Sequence, residues 1–274
     1  MSENTHASPK HSNPCDGSFV RVAGLFGPAN YALQKRLIDQ KQLVQSIPAF
    51  TGFGTPEAKI DPDVFLLSLA RLDRLEKTED MAIMAALSQE VTDLGLFGKC
   101  LVFSESLWTA IDVLRHVVRY FQTGTDITIR IRRGRVTVRY LHPFGQGRTA
   151  QWDARYATTL LYNLLCQAQW KSRSFIEVGF PGARNVGISA FSLASRVLES
   201  SEGYVEFDEN LLKSPMSRSD PIASELLQAL LLRLTEQKES VPKLGLLITT
   251  MQFVSLEKYN RPVSLREAAS LLSI

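Results

Sequence analysis

What the chain lacks narrows it first. It has three cysteines, Cys15, Cys100 and Cys166, too scattered for a disulfide framework or a zinc motif. Cys100 and Cys166 lie in apolar surroundings and read as reduced core thiols. Histidine is also scarce, with four in 274 residues, and His6 and His11 fall in a solvated polar stretch. There is no His-Glu-x-x-His, no Gly-x-Ser-x-Gly elbow, no phosphate-cradling loop and no Cys-x-x-Cys. Consequently no residue is assigned a catalytic or metal-binding role, no cofactor is expected, and the enzyme class has no positive support. No apolar run approaches the roughly 20 residues of a membrane span, and the first residues hold no hydrophobic signal core. A cytoplasmic protein without a membrane partner is the simple expectation. A net charge of +3 is too small to mark a nucleic-acid binder.

The chain does have enough length and apolar content to bury a full core. Its most organised stretch runs from Asp93 to Tyr140. Leu107, Ile111, Leu114, Val118 and Phe121 recur at helical spacing, with Asp112, Arg115, His116 and Arg119 on the opposite face and Ser106 as the N-cap. The period then changes to two. Ile127, Ile129 and Ile131 alternate with Thr128, Arg130 and Arg132, and Val136, Val138 and Tyr140 alternate with Arg135, Thr137 and Arg139. A reversal at Arg133-Gly134 joins them, so one helix feeds one antiparallel hairpin.

Elsewhere the patterning predicts helices over Gly24–Gln45, from Asp61 (N-cap) and Pro62, over Thr78–Ser88 and over Asp153–Trp170. Phe50-Thr-Gly-Phe-Gly54 breaks the pattern and has no preceding strand, so its Gly-x-Gly is not read as a dinucleotide site. Further strands are predicted near 174–180 and 204–208. The fold class is therefore α+β: a four-stranded, mostly antiparallel sheet (126–132, 135–141, 174–180, 204–208) packed with several helices, then a linker helix and an all-α start. Residues 1–17 read as a disordered tail, 18–221 as the main domain, 222–241 as the linker helix and hinge, and 242–274 as the start of a helical domain. Ser264-Leu-Arg-Glu267 in that last segment fits a capping box.

Gly95, Gly98, Ser106, Leu107, Ala110, Arg119 and Tyr120 stand in the order Gly-x-x-Gly, Ser-Leu-x-x-Ala, Arg-Tyr. In this order the stretch resembles the effector-binding domain of AraC/XylS-type transcription regulators, specifically the subfamily labelled "arabinose-binding domain". Leu211, Pro215, Asp220 and Pro221 continue the likeness, whereas 182–201 departs from it; the resemblance implies a short helix after the third strand, which would fall at Ile188–Leu198. Val263-Ser-Leu-Arg-Glu-Ala-Ala-Ser-Leu-Leu is similar to the beginning of the same family's helix-turn-helix domain. The resemblance implies an effector-sensing and dimerising part of a regulator, with a small-molecule effector, a homodimer, and DNA as partner only in a full-length form. The recognition helix that reads bases would follow Ile274, so sequence-specific DNA binding is not expected of these residues. The helical content does not suit the jelly-roll of the family's sugar sensor, so neither fold nor ligand is inherited from the subfamily label. Two alternatives come from other classes: a stand-alone interaction module that pairs with full-length regulators, and a small-molecule enzyme with an unrecognised site.

Three sets of residues are candidates for contact. Phe97, Phe103, Trp108 and Tyr120 are candidates for an effector pocket, although aromatics at these spacings also serve as plain core. Arg130, Arg132 and Arg139 are candidates for an anion site, against the simpler reading of a solvated strand face on which Arg discourages aggregation. Leu226, Leu227, Leu230 and Leu234 lie on a helix whose leucines cover more than one stripe, and so are candidates for a dimer contact.

Overall fold

A computed structural model describes residues 19–47, 58–75, 80–142, 147–170, 175–182, 190–236 and 266–267. In chain order these give β1 (Val20–Arg21), α1 (Ala23–Gln34), α2 (Gln40–Ser46), β2 (Lys59–Ile60), α3 (Pro62–Asp73) and α4 (Met81–Ser88). A 3₁₀ turn at Val91–Leu94 leads to α5 (Leu96–Val102) and α6 (Leu107–Phe121). Then come β3 (Asp126–Arg132), β4 (Arg135–Leu141), α7 (Arg148–Cys166), β5 (Ile176–Phe180), β6 (Arg196–Glu199), β7 (Gly203–Asp208) and α8 (Pro221–Glu236).

Local chemistry sets most of these boundaries. Asp39, Asp61, Asp80 and Ser106 each accept a backbone N–H from the first turn of the helix they precede, and Pro62 occupies the position where no N–H is needed. The single helix expected over Gly24–Gln45 is two. Arg36 takes a left-handed φ of +57° after α1, and Asp39 with Gln42 forms a capping box that starts α2. α7 begins at Arg148 and ends at Cys166, earlier at both ends than the Asp153–Trp170 pattern suggested. The tail 1–17, the Phe50–Gly54 stretch, the 238–242 hinge and most of 242–274 lie outside the described residues; Arg266 and Glu267 are helical.

The α+β class holds, with one strand more than expected. The main sheet has the order β3-β4-β7-β5-β6, antiparallel except for the β5–β6 pair. The fifth strand falls where a helix was predicted. Arg196–Glu199 pairs in parallel register with Glu177–Phe180, satisfying a sheet edge that would otherwise present unpaired backbone groups. A second, two-stranded sheet joins β1 to β2. The inner face of the main sheet carries Val136, Val138, Ile176, Val178, Val205 and Phe207, all buried beneath α6 and α7. The hairpin tip overruns this cover, so Ile127 is buried while Ile131 is exposed.

The apolar residues form two clusters. One joins the sheet to α5, α6 and α8; the other joins α1 to α4 around Trp152 and Tyr156 of α7. The Gly-x-x-Gly motif belongs to the join between the 3₁₀ turn and α5. Gly95 ends the turn at φ +69°, and a Cβ on Gly98 would lie 1.8 Å from the carbonyl oxygen of Val91. That neighbour is backbone and cannot swing aside. Gly98→Ala is therefore expected to lose about 2 kcal/mol or more, in the upper range of overpacking costs, as a lowered midpoint in urea unfolding. An unchanged midpoint would show that the turn yields.

Candidate functional site

On α7, Asp153 stands in the same helical row as Ala157, Leu160, Leu161 and Leu164. A carboxylate on an apolar row is unusual, and the fold gives it a partner. The row faces a cavity of about 70 Å³ in the seam between the two apolar clusters. Gly24 of α1 and Phe65 of α3 close one side; Leu94, Phe97 and Leu101 close another; Leu114, Val118 and Phe121 of α6 close a third. The Phe97 and Phe121 rings lie 5.0 Å apart between centroids, within the range of favourable aromatic pairs. Among the described residues no Lys, Arg or His lines the space.

Polarity is confined to one part of this wall. The Tyr140 hydroxyl on β4 donates to Asp153 Oδ2 at 2.7 Å, both groups being buried. α6 ends at Phe121, and at its C-cap Gln122 the chain turns extended toward β3, a turn that brings Gln122 and Thr125 to the cavity. The N-terminal strand holds it in place: Thr123 N–H donates to the Phe19 carbonyl at 3.0 Å, and Val20 bridges Gln122. Gln122 and Thr125 are 3% and 2% exposed, yet Gln122 Nε2 and Thr125 Oγ1 make no hydrogen bond of good geometry. Both still lie close enough to Tyr140 to favour its ionised form slightly.

Burial dominates the electrostatics. It raises the Asp153 carboxyl from its ordinary 3.8 to about 7, although the Tyr140 hydrogen bond pulls the other way. Tyr140 is raised well above the usual tyrosine value, first by burial and then by the Asp153 charge. Tyr156, another lining residue, is raised by burial and donates to Gln89 Oε1. The arrangement is an apolar chamber with one carboxyl group, able to gain or lose a proton near neutrality, and two side chains with unused hydrogen-bonding capacity.

The four aromatics proposed from sequence do not converge. Phe97 lines the cavity, but Phe103 packs on the core near α8, Trp108 is 43% exposed, and Tyr120 is buried beneath the Arg21 guanidinium, 4.0 Å from its ring. Sequence reasoning missed Tyr140, Asp153, Gln122 and Thr125. The legible signal was Asp153 on an otherwise apolar row, masked by a helix start read too late.

The arginines occupy the outer face of the hairpin. Arg139 Nη1 lies 3.0 Å from Glu202, and Arg135 pairs with Asp208 at 2.8 Å while covering the Phe175 ring. Arg130 and Arg132 are exposed. The partners of Arg135 and Arg139 are protein carboxylates, so their charge is already matched at the surface. His116 is exposed too, its Nδ1 2.7 Å from the Asp112 carbonyl oxygen.

Leu226, Leu227, Leu230 and Leu234 are all buried within the chain. The two leucine stripes that suggested a self-association face serve two neighbours, α5 and α6, both of which pack on α8. The apolar residues of α8 left exposed are Ile222 and Leu232.

Among the described residues no group of three or more His, Cys, Asp or Glu is placed to hold a metal ion, and no helix is long and apolar enough to cross a membrane. No protein-family model matches the chain, and no curated protein matches it by sequence. By structure it is similar to the transcriptional regulator CdpR from Pseudomonas aeruginosa. The TM-score is 0.55 and the identity 13%, over 96% of this chain and 77% of that one. At that identity the likeness is one of fold, and it extends over nearly the whole chain.

Two measurements follow from these placements. Because Asp153 holds its proton to about pH 7 when folded and only to about 3.8 otherwise, the native state binds the extra proton between those values. Its contribution to stability is complete below the lower value and is lost as pH rises through the upper one, a span worth on the order of 4 kcal/mol. Asp153→Asn should flatten that slope in urea midpoints taken from pH 4 to pH 8, whereas an equal slope in both proteins would assign it to other groups. Leu230→Glu should unfold the chain rather than dissociate a dimer, because it places a carboxylate in the core. A folded monomeric Leu230→Glu variant in light scattering and circular dichroism would contradict the packing of α8.

Proposed function

We propose that this chain is the effector-sensing part of an AraC/XylS-type transcription regulator, and that the cavity around Asp153 is its effector pocket. The observation that carries the reading is the cavity itself: largely apolar walls, a few convergent polar groups, and a carboxyl whose proton affinity is strongly altered. Support comes from the fold it shares with a transcriptional regulator and from the sequence likeness of 263–272 to the start of a helix-turn-helix domain. In this reading DNA is contacted through the helix-turn-helix domain that 263–272 would begin. Dimerisation belongs to the same reading but uses surface other than the four buried leucines.

One observation favours a second reading. A buried acid near neutrality, hydrogen-bonded to a tyrosine, is also what a general acid–base enzyme provides. Among the described residues the lining contains no Ser, Cys, His or Lys to act as a nucleophile or second base. Sensing is therefore the better account.

The test is a thermal-shift screen of metabolites against the full chain. A true effector at a hundred times its Kd should add about 2.7 kcal/mol of stability and be recovered chemically unchanged. Conversion of the bound compound would establish the enzyme, and a screen without a single stabilising compound would remove the sensor reading.

A further inference from the structure

The cavity wall also restricts what can enter it. We propose that it takes a small, mainly apolar molecule that presents one hydrogen-bond donor to Asp153, and that it rejects sugars and carboxylates. This rests on the effector-pocket reading and names the chemical class of the ligand.

The argument is one of satisfying buried polar groups. At the polar end there is one acceptor carboxyl, Asp153, and two side chains with free capacity, Gln122 and Thr125. Asp153 already receives the Tyr140 hydroxyl on Oδ2 and still has acceptor capacity. A ligand O–H or N–H can use it, while Gln122 Nε2 donates to an acceptor on the same head group. The rest of the described wall is Phe65, Phe97, Phe121, aliphatic side chains and Tyr156, whose hydroxyl is already donated to Gln89. A sugar would bring hydroxyls around its whole ring, and those facing the phenylalanines would lose water without gaining a partner. Each unsatisfied hydroxyl weakens binding about five- to a hundredfold. A carboxylate meets a different obstacle. The described lining offers it no Lys, Arg or His, and it would sit beside the buried Asp153. An alcohol, an amide and a protonated amine share the required donor. The amine adds a positive charge for which Asp153 has no competing cation among the described lining residues.

Benzyl alcohol, benzamide and benzylamine, with benzoate and arabinose as contrasts, test the class directly. Each is titrated into the 274-residue chain and followed by protein NMR, with Leu161→Phe as a variant that fills the cavity and Asp153→Asn as one that removes the charge while keeping the shape. The donor-bearing compounds should bind the wild type saturably, and Leu161→Phe should weaken them at least tenfold. Benzylamine should also weaken at least tenfold in Asp153→Asn, whereas the alcohol and amide should change less than threefold, which separates the cationic from the neutral ligand. Saturable binding of arabinose or benzoate that Leu161→Phe abolishes would overturn the proposed class while leaving the sensor reading intact. Donor binding that survives Leu161→Phe lies elsewhere and also overturns it. If the donor compounds fail while a metabolite of another class stabilises the wild type, only the class falls; if nothing of any class binds, the sensor reading falls with it.

Discussion

Helix α7 has to bury both of its sides, and the architecture follows from that requirement. Trp152 and Tyr156 enter the cluster formed by α1 to α4, stacked with ring centroids 5.2 Å apart. Tyr162, Leu164 and Leu165 enter the cluster under the sheet. Each large side chain buried in this way is worth about 2 kcal/mol or more, so the two clusters cannot separate without exposing one side of the helix. Close approach on the sheet side reinforces this: a Cβ on Gly203 would lie 2.1 Å from Thr158 Oγ1. The seam where the clusters meet is filled incompletely. That gap is the cavity, and Asp153 falls in it because its position on α7 lies between the two buried faces.

The wall opposite α7 is tied to the C-terminal part of the described fold. α5 supplies Phe97 and Leu101 to the cavity, and its other side is fastened to α8 by a buried polar clasp. Ser224 Oγ donates to the Cys100 carbonyl at 3.0 Å, Ser104 Oγ does the same at 3.2 Å, and the two hydroxyls lie 3.3 Å apart. Burial pushes the Cys100 thiol up to about 12, so it is an unreactive packing group and not a redox centre. Together with the leucines of α8, this clasp makes α5 a direct physical link between the cavity and α8.

The outer face of the sheet shows the opposite regime. Its carboxylates and guanidiniums remain at the surface, where a pair such as Arg139–Glu202 contributes about 0–1 kcal/mol. Tyr204 lies over Gly179, its cross-strand neighbour, and donates to Glu177 at 2.8 Å. This covers the backbone of a strand that has no side chain of its own there. The alternation of the hairpin arginines is thus explained by an outward strand face.

What the sequence alone determined is local in origin. Ser106, Asp61 and Pro62 mark helix starts because capping depends on neighbouring backbone N–H groups, and the hairpin was legible because period two and the Arg133-Gly134 turn are both short-range signals. The α+β class followed from those patterns. Tertiary structure decided everything that depends on which faces meet. Arg196–Glu199 became a strand because an edge of β5 needed a partner, and the leucines of α8 became core because two helices, not one, pack against them. The polar group of the cavity joins Gln122, Thr125, Tyr140 and Asp153 from the end of α6, its link to β3, β4 and α7. No spacing along the chain encodes that meeting, because burial and the Tyr140–Asp153 hydrogen bond exist only once the two apolar clusters have closed around α7.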